Sequence, residues 1–192
     1  MSHGHWQTIA KRDDTFLNKK NQIETKLACI LGYYKGKKYI KDQIQSIIDQ
    51  NSDDISISLF ISDDDSKEEF PSLSDLNLKK LGKVDIFYRN SKNNKGYTHN
   101  FLSALNLIDS SFDYYCFSDQ DDIWNKDKIQ RSILYLKSYK DHKPSLYFGR
   151  TNYFNENCTI NLGKSTFFRK KPSFKNAIIQ NMAGGNTMVF NK

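Results

Sequence analysis

The chain has 192 residues and carries 29 Lys and Arg against 22 Asp and Glu, a net charge of +7. Leu, Ile, Val and Phe make up 48 of its residues, a quarter of the chain and above the roughly 20% below which disorder is expected. Nine glycines and three prolines exclude collagen-like and low-complexity classes, and no run approaches the ~18 apolar residues of a spanning helix. One domain is the default for this length. A basic surplus fits nucleic acid, a phosphorylated substrate or an anionic membrane face. Lysines spread along the whole chain speak against nucleic acid.

The three cysteines, Cys29, Cys116 and Cys158, form no CxxC pair. Two of them lie in apolar runs, which reads as reduced core thiols and a cytoplasmic setting. Residues 1–26 are polar and lysine-rich, without the apolar stretch of a secretory signal. They read as a leader, a tag remnant or a loosely docked helix, so the domain is placed at 27–192. His3 and His5 flank Gly4 and suit adventitious copper or nickel rather than a functional metal.

From Leu27 the texture changes. Leu27-Ala28-Cys29-Ile30-Leu31 is a continuous apolar run, the mark of a strand buried on both faces. Ile40, Ile44, Ile47 and Ile48 follow at helical spacing. Ile55, Ile57, Leu59 and Ile61 predict a second strand and Val84–Tyr88 a third. Thr98–Leu107 predicts a helix with Phe101, Leu102 and Leu105 inward. Tyr114–Phe117 predicts a fourth strand, and Ile129, Ile133 and Leu136 a further helix. Beyond Ser145 the pattern turns β-rich, with a turn at Asn155-Glu156-Asn157 and a strand over Thr187–Phe190. Alternating strands and helices predict an α/β fold with a mostly parallel central sheet and right-handed crossovers. Ligands of such sheets sit at the carboxyl ends of the strands.

Polar clusters fall at those ends. Gly32-Tyr33-Tyr34-Lys35-Gly36-Lys37-Lys38 follows strand one, but its glycine spacing is one residue short of a P-loop, and Lys38 stands where Ser or Thr should hold magnesium. No GxGxxG occurs, and no Cys/His spacing suits zinc. Asp119, Asp121 and Asp122 crowd three carboxylates after strand four. They repel one another unless a cation or ordered donors sit among them, and oxygen ligands suit magnesium, manganese or calcium. Trp124 and Gln130 stand where an EF-hand needs Gly and Glu. Metal binding and capping of the helix starting near Lys126 both stay open for this segment. One of Asp63-Asp64-Asp65 can accept the imide N–H of a pyrimidine, although taken alone this run reads more simply as a polar turn and cap before Lys67-Glu68-Glu69. Tyr34 can stack on a base or pack. Asn94-Lys95-Gly96 opens a helix whose N–H groups can face a phosphate. Together the clusters lie along one sheet edge in the order base, base, phosphate, metal.

In these segments the chain resembles the family 2 glycosyltransferases, inverting enzymes of GT-A fold, and especially their bacterial rhamnosyltransferase-like branch. The resemblance covers about residues 27–192. It rests on Ile30-Leu31-Gly32-Tyr33-Tyr34-Lys35-Gly36 with Tyr39-Ile40 and Gln43-Ile44; on Ile61-Ser62-Asp63-Asp64-Asp65-Ser66; and on Asn94-Lys95-Gly96 with Asn100-Phe101. It continues through Phe117-Ser118-Asp119-Gln120-Asp121-Asp122-Ile123-Trp124 with Asp127-Lys128-Ile129, and Gly184-Gly185-Asn186-Thr187-Met188-Val189-Phe190-Asn191. It implies a nucleotide site with Tyr34 near the base, Asp64 accepting the uracil or thymine imide proton, Gly96 at the phosphate edge and Asp119 at the ribose. Within the Asp-x-Asp pattern, Asp121 would bind the Mn2+ or Mg2+ that bridges the diphosphate. The implied partners are a nucleoside diphosphate sugar and a surface-polysaccharide or lipid-linked glycan acceptor, with peripheral contact at an anionic membrane face and no nucleic acid.

Four positions depart from the family pattern. Gly32 and Tyr33 replace the usual Pro-Thr, Lys35 the usual Asn, and Asp65 the usual Gly. The family's catalytic base, an acidic residue past the stretch matching Gly184–Asn191, is expected beyond Lys192. After Asp127 the acids are Asp141 and Glu156, and neither falls at that position. A donor-binding module without the base is therefore the alternative reading. A sugar nucleotidyltransferase would want a better glycine-rich loop than Gly32–Lys38.

Overall fold

The computed structural model describes residues 5–12, 24–50, 54–79, 81–139, 143–169 and 172–192. In chain order the elements are β1 (Gln7–Ala10), β2 (Thr25–Tyr33), α1 (Ile40–Ile48), β3 (Ile55–Asp63), α2 (Leu73–Leu76), β4 (Val84–Asn90), α3 (Tyr97–Leu105) and β5 (Tyr114–Ser118). They continue with α4 (Lys128–Lys137), β6 (Leu146–Tyr147), β7 (Asn152–Phe154), β8 (Asn161–Lys164), α5 (Phe174–Ile179) and β9 (Val189–Asn191).

The apolar run after Glu24 becomes β2, the middle strand of a seven-stranded sheet ordered β1-β4-β3-β2-β5-β9-β6. β2 pairs in parallel with β3 and β5, and β3 with β4. All four carboxyl ends therefore emerge at one edge. β9 runs antiparallel between β5 and β6. Burial on both faces explains why β2 shows no alternation. On one face Leu27, Cys29, Leu31, Leu59 and Ile61 meet α1 and α4 in the main core. Ile40, Ile44 and Ile47 of α1 are fully buried there, each contributing roughly 1.5–3 kcal/mol. On the other face Ala28, Phe60 and Tyr115 pack with Trp6, Phe87, Leu105 and Phe190.

Two expectations need correction. Part of the stretch read as a leader belongs to the sheet. β1 pairs antiparallel with β4, Trp6 packs edge-on against Phe60 at 5.0 Å, and the Arg12 N–H donates to Asp85 at 2.9 Å. A four-residue edge strand is too short to show a periodicity. The His3-Gly4 pair and Asp141 lie outside the described residues. Leu102, expected inward, is 53% exposed. The inner face of α3 is instead set by Asn100 and Ala104, with Phe101 lying against Phe117 at 5.2 Å. Asn100 is buried because its amide donates to the Ser62 carbonyl at 2.7 Å and its carbonyl accepts from the Ser62 hydroxyl at 2.5 Å. Hydropathy counts Asn as an outward residue and misses this. A further helix, α5, follows the ribbon in the region read as β-rich.

Candidate active site

Each loop at the carboxyl edge is tied to its neighbour by hydrogen bonds. After β2, the Tyr34 N–H donates to the Gln120 side-chain Oε1 at 2.8 Å, and the Gln120 side-chain amide donates back to the Tyr34 backbone carbonyl at 3.0 Å. The Tyr34 ring is left 41% exposed. Gly36 lies directly against Gln120: a Cβ there would come within 2.2 Å of its side chain. Gly32 has a similar reason, since a Cβ would meet the Phe101 ring at 2.8 Å. The usual proline cannot sit there beside this phenylalanine.

The aspartate run after β3 divides into three roles. Asp63 is fully buried and accepts from the Ser66 N–H and hydroxyl, the Tyr88 hydroxyl and the Asn90 amide, at 2.9, 2.9, 2.9 and 3.3 Å. Burial first, and then this carboxylate, push the Tyr88 phenol up. The neighbouring Tyr33 rises to about 12, mainly through burial, with Glu68 and Asp63 adding to it. Asp64 accepts the backbone N–H of Lys95 at 3.1 Å and of Gly96 at 2.9 Å, bolting the β4–α3 loop onto the end of β3. Asp65 stands in the left-handed region at φ 61° and Lys35 at φ 50°. These are the two positions where Gly and Asn were the expected residues, both tolerant of that conformation.

The reading of Gly96 as an open phosphate donor needs correction, because its N–H is committed to Asp64. Gly96 takes φ +84°, and that turn brings the loop back over β3. A side chain would strain here.

The acidic loop after β5 is held from below by a polar stripe on α1. Gln43 and Ser46 of α1, and Gln50 just past its end, are buried at i, i+3 and i+7, a helical spacing of their own beside the isoleucines. The Gln43 amide meets the Ser118 hydroxyl at 2.5 Å. Turned with its oxygen toward the Trp124 indole N–H, at 3.1 Å, the amide also donates to the Asp122 carbonyl. The Trp124 backbone N–H donates to the Ser46 hydroxyl at 3.0 Å, the Gln50 side-chain amide to the Asn125 backbone carbonyl at 2.9 Å, and the Ile129 backbone N–H to the Gln50 side-chain Oε1 at 3.1 Å. Such buried, bonded groups hold a loop in one conformation.

Asp119 and Asp121 project from this scaffold at the surface, while Asp122 accepts from the Asn186 amide at 2.5 Å. The Asp119 carboxyl is pushed up to about 6, by desolvation first and then by Asp122 and Asp121, with Lys128 opposing. Asp122 is raised for the same leading reason. Lys128 stretches beneath the loop, its ammonium 3.3 Å from the Trp124 ring centre and donating to the Asn186 carbonyl at 2.6 Å. Desolvation lowers it to about 8. None of the three aspartates caps a helix: α4 starts at Lys128 with Asp127 at its N-cap position, making no side-chain cap bond. The capping alternative therefore falls.

Among the described residues no three His, Cys, Asp or Glu side chains converge as a metal cage. The donor set still fits a hard divalent ion. Magnesium is commonly held by one or two carboxylates plus substrate phosphates. Among the described residues no protein group donates to the side chains of Asp119 or Asp121.

Tyr34, Asp64, Gly96, Asp119 and Asp121 thus belong to neighbouring loops on one edge, linked through Gln120 and through the Asp64 N–H, which donates to the Tyr33 carbonyl at 2.9 Å. Sequence reasoning quoted Gln43, Gln120, Lys128 and Asn186 only within the motifs of the family resemblance, with no supporting role, and missed Ser46 and Gln50. The one available signal was the polar stripe of α1 at helical spacing.

The sequence pattern described as glycosyl transferase family 2 matches residues 29–191. The chain belongs to this family, and its sheet of parallel central strands flanked by helices is the GT-A fold. A dTDP-rhamnosyl transferase, RfbG of Shigella flexneri, is 39% identical over 102 residues, covering 52% of this chain and 34% of that protein. Among solved structures, S. aureus TarS 1–349 is similar at 20% identity and a TM-score of 0.47, covering 64% of this chain and 34% of that one. The mannosyltransferase PcManGT of Pyrobaculum calidifontis, in complex with GDP-Man and Mn2+, is similar at 14% identity and a TM-score of 0.43, over 64% and 37%. The chain thus spans about a third of the length of these relatives. No helix among the described residues is long and apolar enough to cross a membrane.

Proposed function

We propose that the protein is a glycosyltransferase that passes a sugar from a UDP- or dTDP-sugar to a surface-polysaccharide or lipid-linked glycan acceptor. Transfer inverts the anomeric centre and takes place at the cytoplasmic face of a membrane that the protein touches peripherally. One observation carries the reading. In a family 2 chain, the loops bearing Tyr34, Asp64 and the acidic Asp119–Asp122 turn are locked together at one strand edge, leaving Tyr34, Asp119 and Asp121 facing solvent. The dTDP-rhamnosyl transferase relative favours a pyrimidine donor.

In this reading Tyr34 stacks on the base and Asp64 accepts its imide proton. The two backbone N–H groups on Asp64 fix the carboxylate and leave it lone pairs for that bond. Asp119 orients the ribose. Asp121, with Asp119 beside it, would hold the Mn2+ or Mg2+ whose charge offsets that of the departing diphosphate. Displacement is single-step, with the acceptor hydroxyl deprotonated by a carboxylate. We assign that role to no described residue. Asp119 and Asp121 are on the diphosphate side, and Glu156 is ion-paired with Lys38. The base stays the residue expected past Lys192.

Titration calorimetry with UDP and dTDP, in Mn2+ and in EDTA, tests the reading. Binding should need the divalent ion. Asp121→Asn should reduce it about a hundredfold or more at unchanged melting temperature, and Asp64→Ala should weaken the nucleotide alone. No binding of either nucleotide overturns the reading, and equal affinity in EDTA overturns the metal role. The commitment of Glu156 to Lys38 also favours the alternative, a donor-binding module without transfer. Donor hydrolysis without transfer to any glycan acceptor would support that alternative.

A further inference from the structure

Although lysines occur throughout, acids do not. Of the 29 Lys and Arg and 22 Asp and Glu, residues 143–192 hold eight and one. Residues 1–142 hold 21 of each, so the entire net charge of +7 resides in the last fifty residues. The single acid there, Glu156, is neutralised locally by its ion pair with Lys38.

Within this segment the ribbon and α5 leave large apolar side chains in solvent, whereas Val189 is buried in the sheet. β7 and β8 form a two-stranded ribbon separate from the main sheet, and its strands make at most isolated contacts with other elements. Phe154 is 47% exposed, Ile160 60%, Leu162 66% and Phe167 66%. Ile178 and Ile179 of α5 are 67% and 87% exposed. An isolated two-stranded hairpin is marginal in water, and exposed apolar groups clustered in one segment mark an interaction surface. Lys164, Arg169 and Lys175 stand exposed among them.

We infer that the β7–β8 ribbon and α5 form a docking surface for the anionic headgroups and upper acyl region of a lipid bilayer. Charge complementarity selects this occupant. A second copy docking through the same face would bring a second set of Lys164, Arg169 and Lys175 against the first and be repelled. Nucleic acid would use the charge but has no place for Ile160, Leu162, Ile178 and Ile179, whose aliphatic side chains partition into lipid. Interfacial binding needs this combination of apolar area and cationic rim. The location also suits the chemistry. Glu156, at the ribbon turn, is paired with Lys38 in the loop that carries Tyr34, so the docking surface lies beside the candidate active-site edge. A lipid-linked acceptor would enter from that side. The inference deepens the peripheral-contact part of the proposed function and rests on it only for this last step.

Co-sedimentation of the 192-residue protein with phosphatidylcholine vesicles, and with vesicles containing about one third phosphatidylglycerol, tests it. Binding should require the anionic lipid and weaken as salt is raised. The triple variant Lys164→Glu, Arg169→Glu, Lys175→Glu should lose about a hundredfold or more in affinity, since each basic residue contributes roughly fivefold. Ile160→Ser with Leu162→Ser should also weaken binding, at unchanged net charge. Calorimetry with dTDP and Mn2+ on the same variants should show wild-type affinity. Loss of lipid binding with intact nucleotide binding supports the docking surface. Equal binding to neutral and anionic vesicles overturns it, as do variants that bind as tightly as the parent. A concentration-dependent dimer broken by Leu162→Ser, or tight binding of a mixed-sequence oligonucleotide in place of vesicles, also overturns it. Nucleotide binding failing while lipid binding persists sinks the donor-site reading alone.

Discussion

In the main sheet and the helices packed on it several polar side chains go inside and are bonded, whereas in the ribbon and α5, between Asn152 and Ile179, large apolar side chains stay outside. Gln43, Ser62 and Asn100 are buried with partners at 2.5–2.7 Å. Ile160, Leu162 and Phe167 are each at least 60% exposed. The first region is charge-balanced and rigidly linked, as befits loops that must hold carboxylates at fixed separations. The second carries a surplus of basic residues and shows hydrophobic groups, as befits a surface that meets something else. Buried polar groups cost stability unless fully bonded, so the first region fixes one geometry. The second has given up burial and keeps only weak ties to the sheet.

The largest test of this contrast is a pair of isoleucines. Ile44→Ala, in the filled core, should cost about 2–5 kcal/mol, while Ile160→Ala should stay within about 0.5 kcal/mol. Urea unfolding measures both, and a comparable loss at Ile160 would show that the ribbon is part of the folded core. Next comes the polar stripe. Gln43→Ala strands the Trp124 indole N–H and leaves the Ser118 hydroxyl with only the Asp119 carbonyl, and should cost about 1–3 kcal/mol. It should also weaken Mn2+-dependent nucleotide binding, because the acidic loop loses its support. Stability loss without any change in binding would separate α1 from the site.

A smaller effect follows from Asp119. Its carboxyl rises from 3.8 to about 6, so the folded chain holds this proton more tightly than the unfolded one. Its stabilising contribution is complete below about pH 4 and is lost as the pH rises through about 6. A divalent ion competes for the ionised form. The rise in melting temperature with Mn2+ should therefore be larger at pH 7.5 than at pH 5 by the reach of this titration. A response that ignores pH places the ion elsewhere. Smallest is Asp65→Gly. It relieves a left-handed aspartate at φ 61° and loses only a pair with the exposed Lys67 at 2.8 Å. A gain of about 0.5 kcal/mol is expected, and a loss would mean that the pair outweighs the backbone strain.

How much of the site could be read in advance depended on its position along the chain. The aspartates after β3 and β5 stood out because each follows an apolar strand. Their division of labour did not, since Asp63, Asp64 and Asp65 are identical letters with different neighbours. The cradle beneath the acidic loop was harder still. Gln43 and Trp124 are far apart in sequence, and their meeting depends on α1 packing beside α4. The short edge strand at Gln7–Ala10 gave no signal because its partner, β4, lies far along the chain.

The sequence by itself determined the α/β alternation, the family and the edge where chemistry gathers, because these follow from local periodicity and from short ordered motifs. Only the tertiary structure decided three further points. Asp64 was assigned to the Gly96 turn, Gln120 to the Tyr34 backbone, and the uncovered apolar side chains to the segment whose surplus charge the sequence already shows. Those outcomes depend on hydrogen bonds and exposure between residues distant in the chain, and both are set by how the elements pack.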